Sequence, residues 1–166
     1  RIVLPPQRQA TVALTIGGVI KNTSLLPGQH VTKNSVIATL ENPEFITLQQ
    51  TYLDSHAQTE YLRMEYERQK NLSAEQAASQ KKFQQSKADY LSMKSRQDAA
   101  AAQLSLLGVN PETLLRDGIQ PLLEVKAPIS GYVVNVAMNM GKYINPGEAL
   151  CEVIDKSAPM LCLTTY

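Results

Sequence analysis

The sequence of 166 residues has no tryptophan, two phenylalanines, two cysteines and a net charge of only +1. So few large aromatic side chains fill one thick core poorly, and with Gln, Ala, Ser and Lys crowding the middle third an elongated arrangement is expected. The balanced charge, with no run of Lys and Arg, lacks the basic stripe that displaces counterions from a phosphate backbone, which argues against a nucleic-acid partner. Apolar runs such as Tyr132 to Val134 fall far short of the roughly 20 residues of a membrane-spanning helix. Cys151 and Cys162 belong to no closely spaced Cys/His ligand set, and both are expected to pack as small apolar residues. No signal peptide or lipidation motif precedes Arg1, and the chain opens directly into Ile2-Val3-Leu4, so a targeting segment is expected outside this sequence. The histidines, His30 and His56, have no obvious nucleophile to activate. His56 and Glu60 share a helix face at i, i+4, as solvated surface pairs do. No Gly-rich phosphate loop opens a helix. Neither catalysis nor a cofactor is expected.

What is present is a repeat. From Val12 to Leu40, apolar and polar residues alternate between turn signals, as in Val12, Leu14 and Ile16 followed by Gly17-Gly18, the period of short strands. From Val125 to Val153 the pattern returns at a constant offset. Val12 matches Val125, Ile16 matches Ile129, Gly18 matches Gly131 and Gly28 matches Gly141, while Lys33-Asn34 stands opposite Pro146-Gly147. Asn and Gly enter the left-handed region of tight turns most readily, so Gly18, Gly28, Gly131, Gly141 and Gly147 are read as structural turns. Val31 with Ile144, Ile37 with Leu150 and Leu40 with Val153 keep the inward face in register.

Between the halves the period changes. Glu44 to Leu72 and Ser79 to Leu107 contain no Gly or Pro and are filled with good helix formers. Phe45, Leu48, Tyr52, Ser55, Thr59, Leu62 and Tyr66 recur at alternating spacings of three and four on the first helix. Phe83, Ser86, Tyr90, Met93, Gln97, Ala100, Leu104 and Leu107 do so on the second. These matched seams predict an antiparallel two-stranded coiled coil. Asn42-Pro43 starts the first helix, Gly108 ends the second, Asn110-Pro111-Glu112 caps a short helical turn, and Asp117-Gly118 reverses the chain. Ser, Thr and Gln interrupt both seams, so the hairpin is poorly hydrophobic for its length and suggests a surface awaiting partners.

An α+β chain with a β module cut into two homologous halves by a helical hairpin resembles the periplasmic adaptors, or membrane fusion proteins, of tripartite efflux pumps. The resemblance rests on Gly28-Gln29-His30-Val31 with Val36-Ile37-Ala38-Thr39-Leu40, on Lys126-Ala127-Pro128-Ile129-Ser130-Gly131-Tyr132-Val133, and on Gly141-Lys142-Tyr143-Ile144-Asn145-Pro146-Gly147. Leu104-Ser105-Leu106-Leu107-Gly108-Val109 resembles adaptors of resistance-nodulation-division (RND) transporters, the heavy-metal subgroup above all. The resemblance implies a lipoyl-like flattened β-barrel at 10–42 and 122–158, a hairpin at 43–121, and stubs of an adjacent β-barrel domain at 1–9 and 159–166. It implies efflux of drugs or metal ions in the periplasm, anchoring to the inner membrane through an N-terminal segment absent from this sequence, and three partners: an inner-membrane transporter, an outer-membrane channel and further copies in a ring. Arg68, Leu72 and Ser79 match the spacing of the family's hairpin-tip residues, which implies that they meet the outer-membrane channel. Arg supplies a planar fork of donors, Leu an apolar knob and Ser a helix cap.

Three other readings compete. An adaptor for type I secretion or an ABC exporter would share most of these features. A lipoyl or biotinyl carrier needs its modified Lys on a β-turn between the halves, whereas Lys70, Lys81, Lys82, Lys87 and Lys94 lie on or near helices. Met138 and Met140, spaced to point the same way on a strand, are weak candidates for metal contact because thioethers suit Cu(I); no metal site is otherwise expected.

Overall fold

The alternating segments become eight strands in a computed structural model that describes residues 8–75 and 80–155. They are β1 (Arg8–Ala13), β2 (Gly18–Thr23), β3 (His30–Val31), β4 (Val36–Glu41), β5 (Leu123–Lys126), β6 (Gly131–Val134), β7 (Tyr143–Ile144) and β8 (Ala149–Asp155). Between β4 and β5 come the helices α1 (Pro43–Ala74), α2 (Gln80–Leu106) and α3 (Pro111–Asp117). The chain divides into two compact units, one running to Asn42 and resuming at Pro121, the other Pro43–Gln120.

In the first unit the repeat governs strand pairing. One sheet has the order β1-β8-β6-β3 and the other β5-β4-β2-β7. Exchanging each strand for its equivalent in the other half converts the first order into the second, so each sheet draws strands from both halves. The turns obey the same rule: the Gly28 N–H donates to Val133 O at 2.6 Å, and its equivalent, Gly141 N–H, donates to Ile20 O at 2.8 Å. A Cβ built on Gly18 would stand 2.7 Å from Glu41 O, and one on Gly131 would stand 2.3 Å from Ile154 O. Glu41 and Ile154 are themselves equivalent under the repeat, so both glycines admit the same close approach of backbone, and the expectation of turns at these two positions is corrected: Gly18 opens β2 and Gly131 opens β6.

Neither half could bury its apolar face alone. Together they enclose Val12, Ile20, Val31, Ile37, Leu40, Val125, Val133, Ile144, Leu150, Cys151 and Val153, with Leu25 and Met138 at equivalent places. Burial pushes the Cys151 thiol up to about 11, as desolvation of a thiolate requires. Arg8 and Gln9, which the sequence reading assigned to a stub, pair in β1 with Asp155 and Ile154. The remainder of 1–9, all of 159–166 and Cys162 lie outside the described residues.

In the second unit α1 and α2 pack along the predicted seams, every residue of which is buried or half-buried. Pro43 occupies the first helical position, where its missing N–H costs nothing. At the other end Val109 N–H donates to Leu104 O at 3.0 Å and Gly108 N–H to Ser105 O at 2.9 Å. With Gly108 at φ +80°, this is a Schellman closure. Asn110 caps α3 by accepting from the Glu112 N–H at 3.0 Å, and the chain leaving α3 is tied down by Gln49. That side chain is fully buried: its Nε2 donates to Gln120 O at 2.9 Å and its Oε1 accepts from the Gln120 N–H at 2.7 Å.

Candidate functional site

Two helices of 32 and 27 residues joined by a short connection create a tip, and the last turns of α1 shape it. Arg68 follows Glu65 by three residues, a spacing that puts both on one helix face. Its Nε donates to Glu65 Oε1 at 2.8 Å and its Nη2 to Oε2 at 2.7 Å, a two-pronged pair that holds the guanidinium plane in place. The Arg68 side chain is nonetheless 62% exposed, so donors remain free toward solvent. Leu72 is half-buried one turn further on. Across the connection Gln80 Nε2 donates to Ser73 Oγ at 2.8 Å, linking the last turn of α1 to the first of α2. Ser79 lies outside the described residues, immediately before α2.

Below the tip the seam is aromatic. Tyr66 stacks on Phe83 with centroids 5.8 Å apart and on Tyr90 at 5.6 Å. Further down, His56 Nδ1 lies 3.0 Å from Gln97 Oε1 and its ring stacks on Tyr52 at 6.0 Å. Burial, together with Glu112 and Asp98, raises the Tyr52 phenol above its ordinary value. The seam also buries Ser55, Thr59, Gln69 and Ser86. Thr59 Oγ1 and Gln69 Oε1 have no hydrogen-bond partner. Gln69 continues the three-four spacing beyond Tyr66, but a search for apolar residues passes over a glutamine.

The other sequence candidates are not brought together. The Glu60 carboxyl bonds Arg63 at 3.1 Å; that bond and the Arg63 charge hold it below its ordinary range, and nearby His56 lowers it further. Met138 is in the barrel core at 7% exposure while Met140 is 65% exposed, and neither belongs to a strand. The expectation of two thioethers pointing the same way on a strand is therefore corrected: at Asn135 the backbone turns to φ +53°, β6 ends at Val134, and the alternation lapses. Among the described residues no three His, Cys, Asp or Glu side chains cluster as a metal site. Lys70, Lys81, Lys82, Lys87 and Lys94 all stand on α1 or α2. No helix among the described residues is long and apolar enough to cross a membrane.

A family model described as the CzcB-like barrel-sandwich hybrid domain matches residues 8–155. Among solved structures, ZneB from Cupriavidus metallidurans is 26% identical with a TM-score of 0.61, the match covering 90% of this chain and 61% of that one. A protein assigned to efflux transport in Bacteroides eggerthii DSM 20697 is 22% identical with a TM-score of 0.65, covering 91% of this chain and 40% of that one. A MacA-MexA chimera containing the Pseudomonas aeruginosa MexA α-hairpin domain is 21% identical with a TM-score of 0.64, covering 89% and 48%. The chain thus spans between 40% and 61% of the length of these relatives. No curated protein sequence matches it.

Proposed function

Because the chain belongs to the CzcB-like barrel-sandwich hybrid domain family, we propose that it is the barrel and hairpin portion of a periplasmic adaptor coupling an inner-membrane transporter to an outer-membrane channel, for efflux of drugs or metal ions. The work is mechanical coupling rather than catalysis. In this reading further copies complete a ring, an N-terminal segment anchors the whole protein to the inner membrane, and Arg68, Leu72 and Ser79 meet the channel.

The observation that carries the reading is the insertion itself. A carrier domain presents a lysine on the turn between its halves. Here that place holds a two-helix hairpin whose tip displays an exposed arginine, braced by Glu65. A braced guanidinium loses little freedom when it docks on carbonyls or carboxylates.

The test is Arg68→Asp in the full-length protein. Arg68 is exposed, so its substitution should change stability by only about 0.5 kcal/mol. In a docked tip the reversed charge would face acceptors and lie unpaired, which is strongly unfavourable. The melting temperature should therefore hold while drug or metal resistance is lost in cells lacking the native copy. Unchanged resistance at normal protein levels removes Arg68 from the contact.

A further inference from the structure

The repeat supplies its own control, because wherever the fold alone dictates the backbone the two halves should agree. They agree at one irregularity: the register shift between Val36 and Ala38, where β4 pairs with β5, falls at the place equivalent to the shift between Val12 and Ala13, where β1 pairs with β8. They disagree at another. β6 pairs with β8 in unbroken register, Val133 opposite Val153 and Val134 opposite Glu152. In the equivalent pairing of β2 with β4, Ile20 stands opposite Leu40 but Asn22 opposite Thr39. Lys21 is thus an extra residue, a bulge that the fold does without in its other half. Bulges re-aim side chains and gather beside functional sites.

Beside this bulge lies a cleft of about 300 Å³ lined by Asn22, Thr23, Ser24, Val36, Ile37, Ala38 and Thr39. In the second half the chain closes at the same point, where Leu150 O accepts the Ala137 N–H at 2.8 Å. In the first half the Thr23 hydroxyl takes that place, donating to Ile37 O at 3.2 Å, and Ser24 is left exposed at the rim. The chemistry differs as well. Ser24 and Thr39 answer to Ala137 and Glu152. Glu152 accepts from Gln9 Nε2, whereas Thr39 Oγ1 is buried with no partner. Ser24 and Thr39 therefore place hydroxyls where the other half folds with none, and the second destabilises the barrel until a partner reaches it.

Every side chain lining the cleft is neutral. It offers an ion nothing to offset the loss of its water, and a wholly apolar ligand would leave Thr39 Oγ1 unpaired. A sugar ring meets both demands. Its rim carries hydroxyls that donate and accept, as those of Ser and Thr do, and its faces carry C–H groups that suit the aliphatic side of the cleft, where Val36 is 47% exposed. We propose that this cleft binds a neutral sugar, Thr39 Oγ1 and the exposed side chains of Asn22 and Ser24 taking its hydroxyls. The volume lies at the small end of ligand pockets, which run from roughly 300 to 1,000 Å³, and suits one ring, free or at the end of a chain. Neither Arg68 nor any other hairpin residue takes part.

The test is saturation-transfer NMR on the full-length protein, with glucose, N-acetylglucosamine and the trisaccharide of N-acetylglucosamine as probes. The native sequence should transfer saturation to sugar protons. Thr39→Val removes the hydroxyl at nearly constant shape and should cut the transfer to background, while Thr39→Ser keeps a hydroxyl and should retain it. Ser24→Leu fills the cleft from its exposed rim and should abolish the transfer too; if Thr39→Val fails to fold, this variant decides. Melting temperatures should not fall in either loss variant. Transfer to a monosaccharide assigns a free sugar and transfer to the trisaccharide alone assigns a glycan chain, and both support the cleft. No transfer to any probe, or transfer undiminished in Thr39→Val and Ser24→Leu, overturns the proposal.

Discussion

The barrel and the hairpin bury different mixtures of side chain. Every member of the barrel's core cluster is apolar or a cysteine. The hairpin, by contrast, buries Gln49, Ser55, Thr59, Gln69 and Ser86 along with Phe45, Tyr52, Ala100 and Leu104. Apolar burial is the main favourable term in folding, whereas a buried polar group stabilises only to the extent that it finds a partner. The difference teaches where each unit can give way. The barrel gains from every core residue and has no cheap place to open. The hairpin mixes apolar burial with buried polar groups, and two of these, Thr59 Oγ1 and Gln69 Oε1, have no hydrogen-bond partner, so the seam loses least by meeting water at those positions.

The largest effect that would break this contrast is expected in the barrel. Leu150→Ala removes a fully buried side chain and should cost about 2 to 5 kcal/mol, as core truncations that leave cavities do; urea unfolding measures it, and a loss below about 1 kcal/mol would mean a loosely packed core.

A second pair of changes sharpens the contrast by swapping chemistry at nearly constant volume. Val133→Thr puts a hydroxyl into a site with no exposure and should cost about 1 to 3 kcal/mol. Thr59→Val removes a buried hydroxyl that has no partner and should be neutral or stabilising by up to about 1 kcal/mol. Helical circular dichroism during unfolding reads the second; equal losses for both variants would erase the distinction between the units.

The smallest effect is alkaline. The Tyr52 phenol is raised above its ordinary value of about 10 in the folded hairpin, so above that pH the unfolded chain releases the proton first. The favourable contribution is complete below about pH 10 and is lost as pH rises through the folded value. Tyr52→Phe should flatten that alkaline loss of helical signal, and an unchanged slope would assign it to other groups.

Much of the hairpin was legible beforehand because its signals are local. Phe45 to Tyr66 and Phe83 to Leu107 needed only a spacing of three and four, and Pro43 and Gly108 mark ends through their own backbone limits. The tip was legible only in part. Arg68 could be named from a three-residue match, but its brace, Glu65, belongs to no seam and stood out only once the guanidinium's direction was known. Met138 and Met140 misled because alternation was extended past Val134, where a left-handed Asn135 ends the strand.

By itself the sequence determined the repeat, the turns at Gly28, Gly141 and Gly147 and the length and pairing of the two helices, since each follows from conformational limits or periodicity within a few residues of chain. Only the tertiary structure decided that β1 crosses to β8 and β5 to β4, because hydrogen bonds between strands carry no side-chain label and the partner lies far along the chain. It also decided that Gln49 is buried. A glutamine on a helix reads as surface until a second backbone, here at Gln120, arrives to satisfy both ends of its amide.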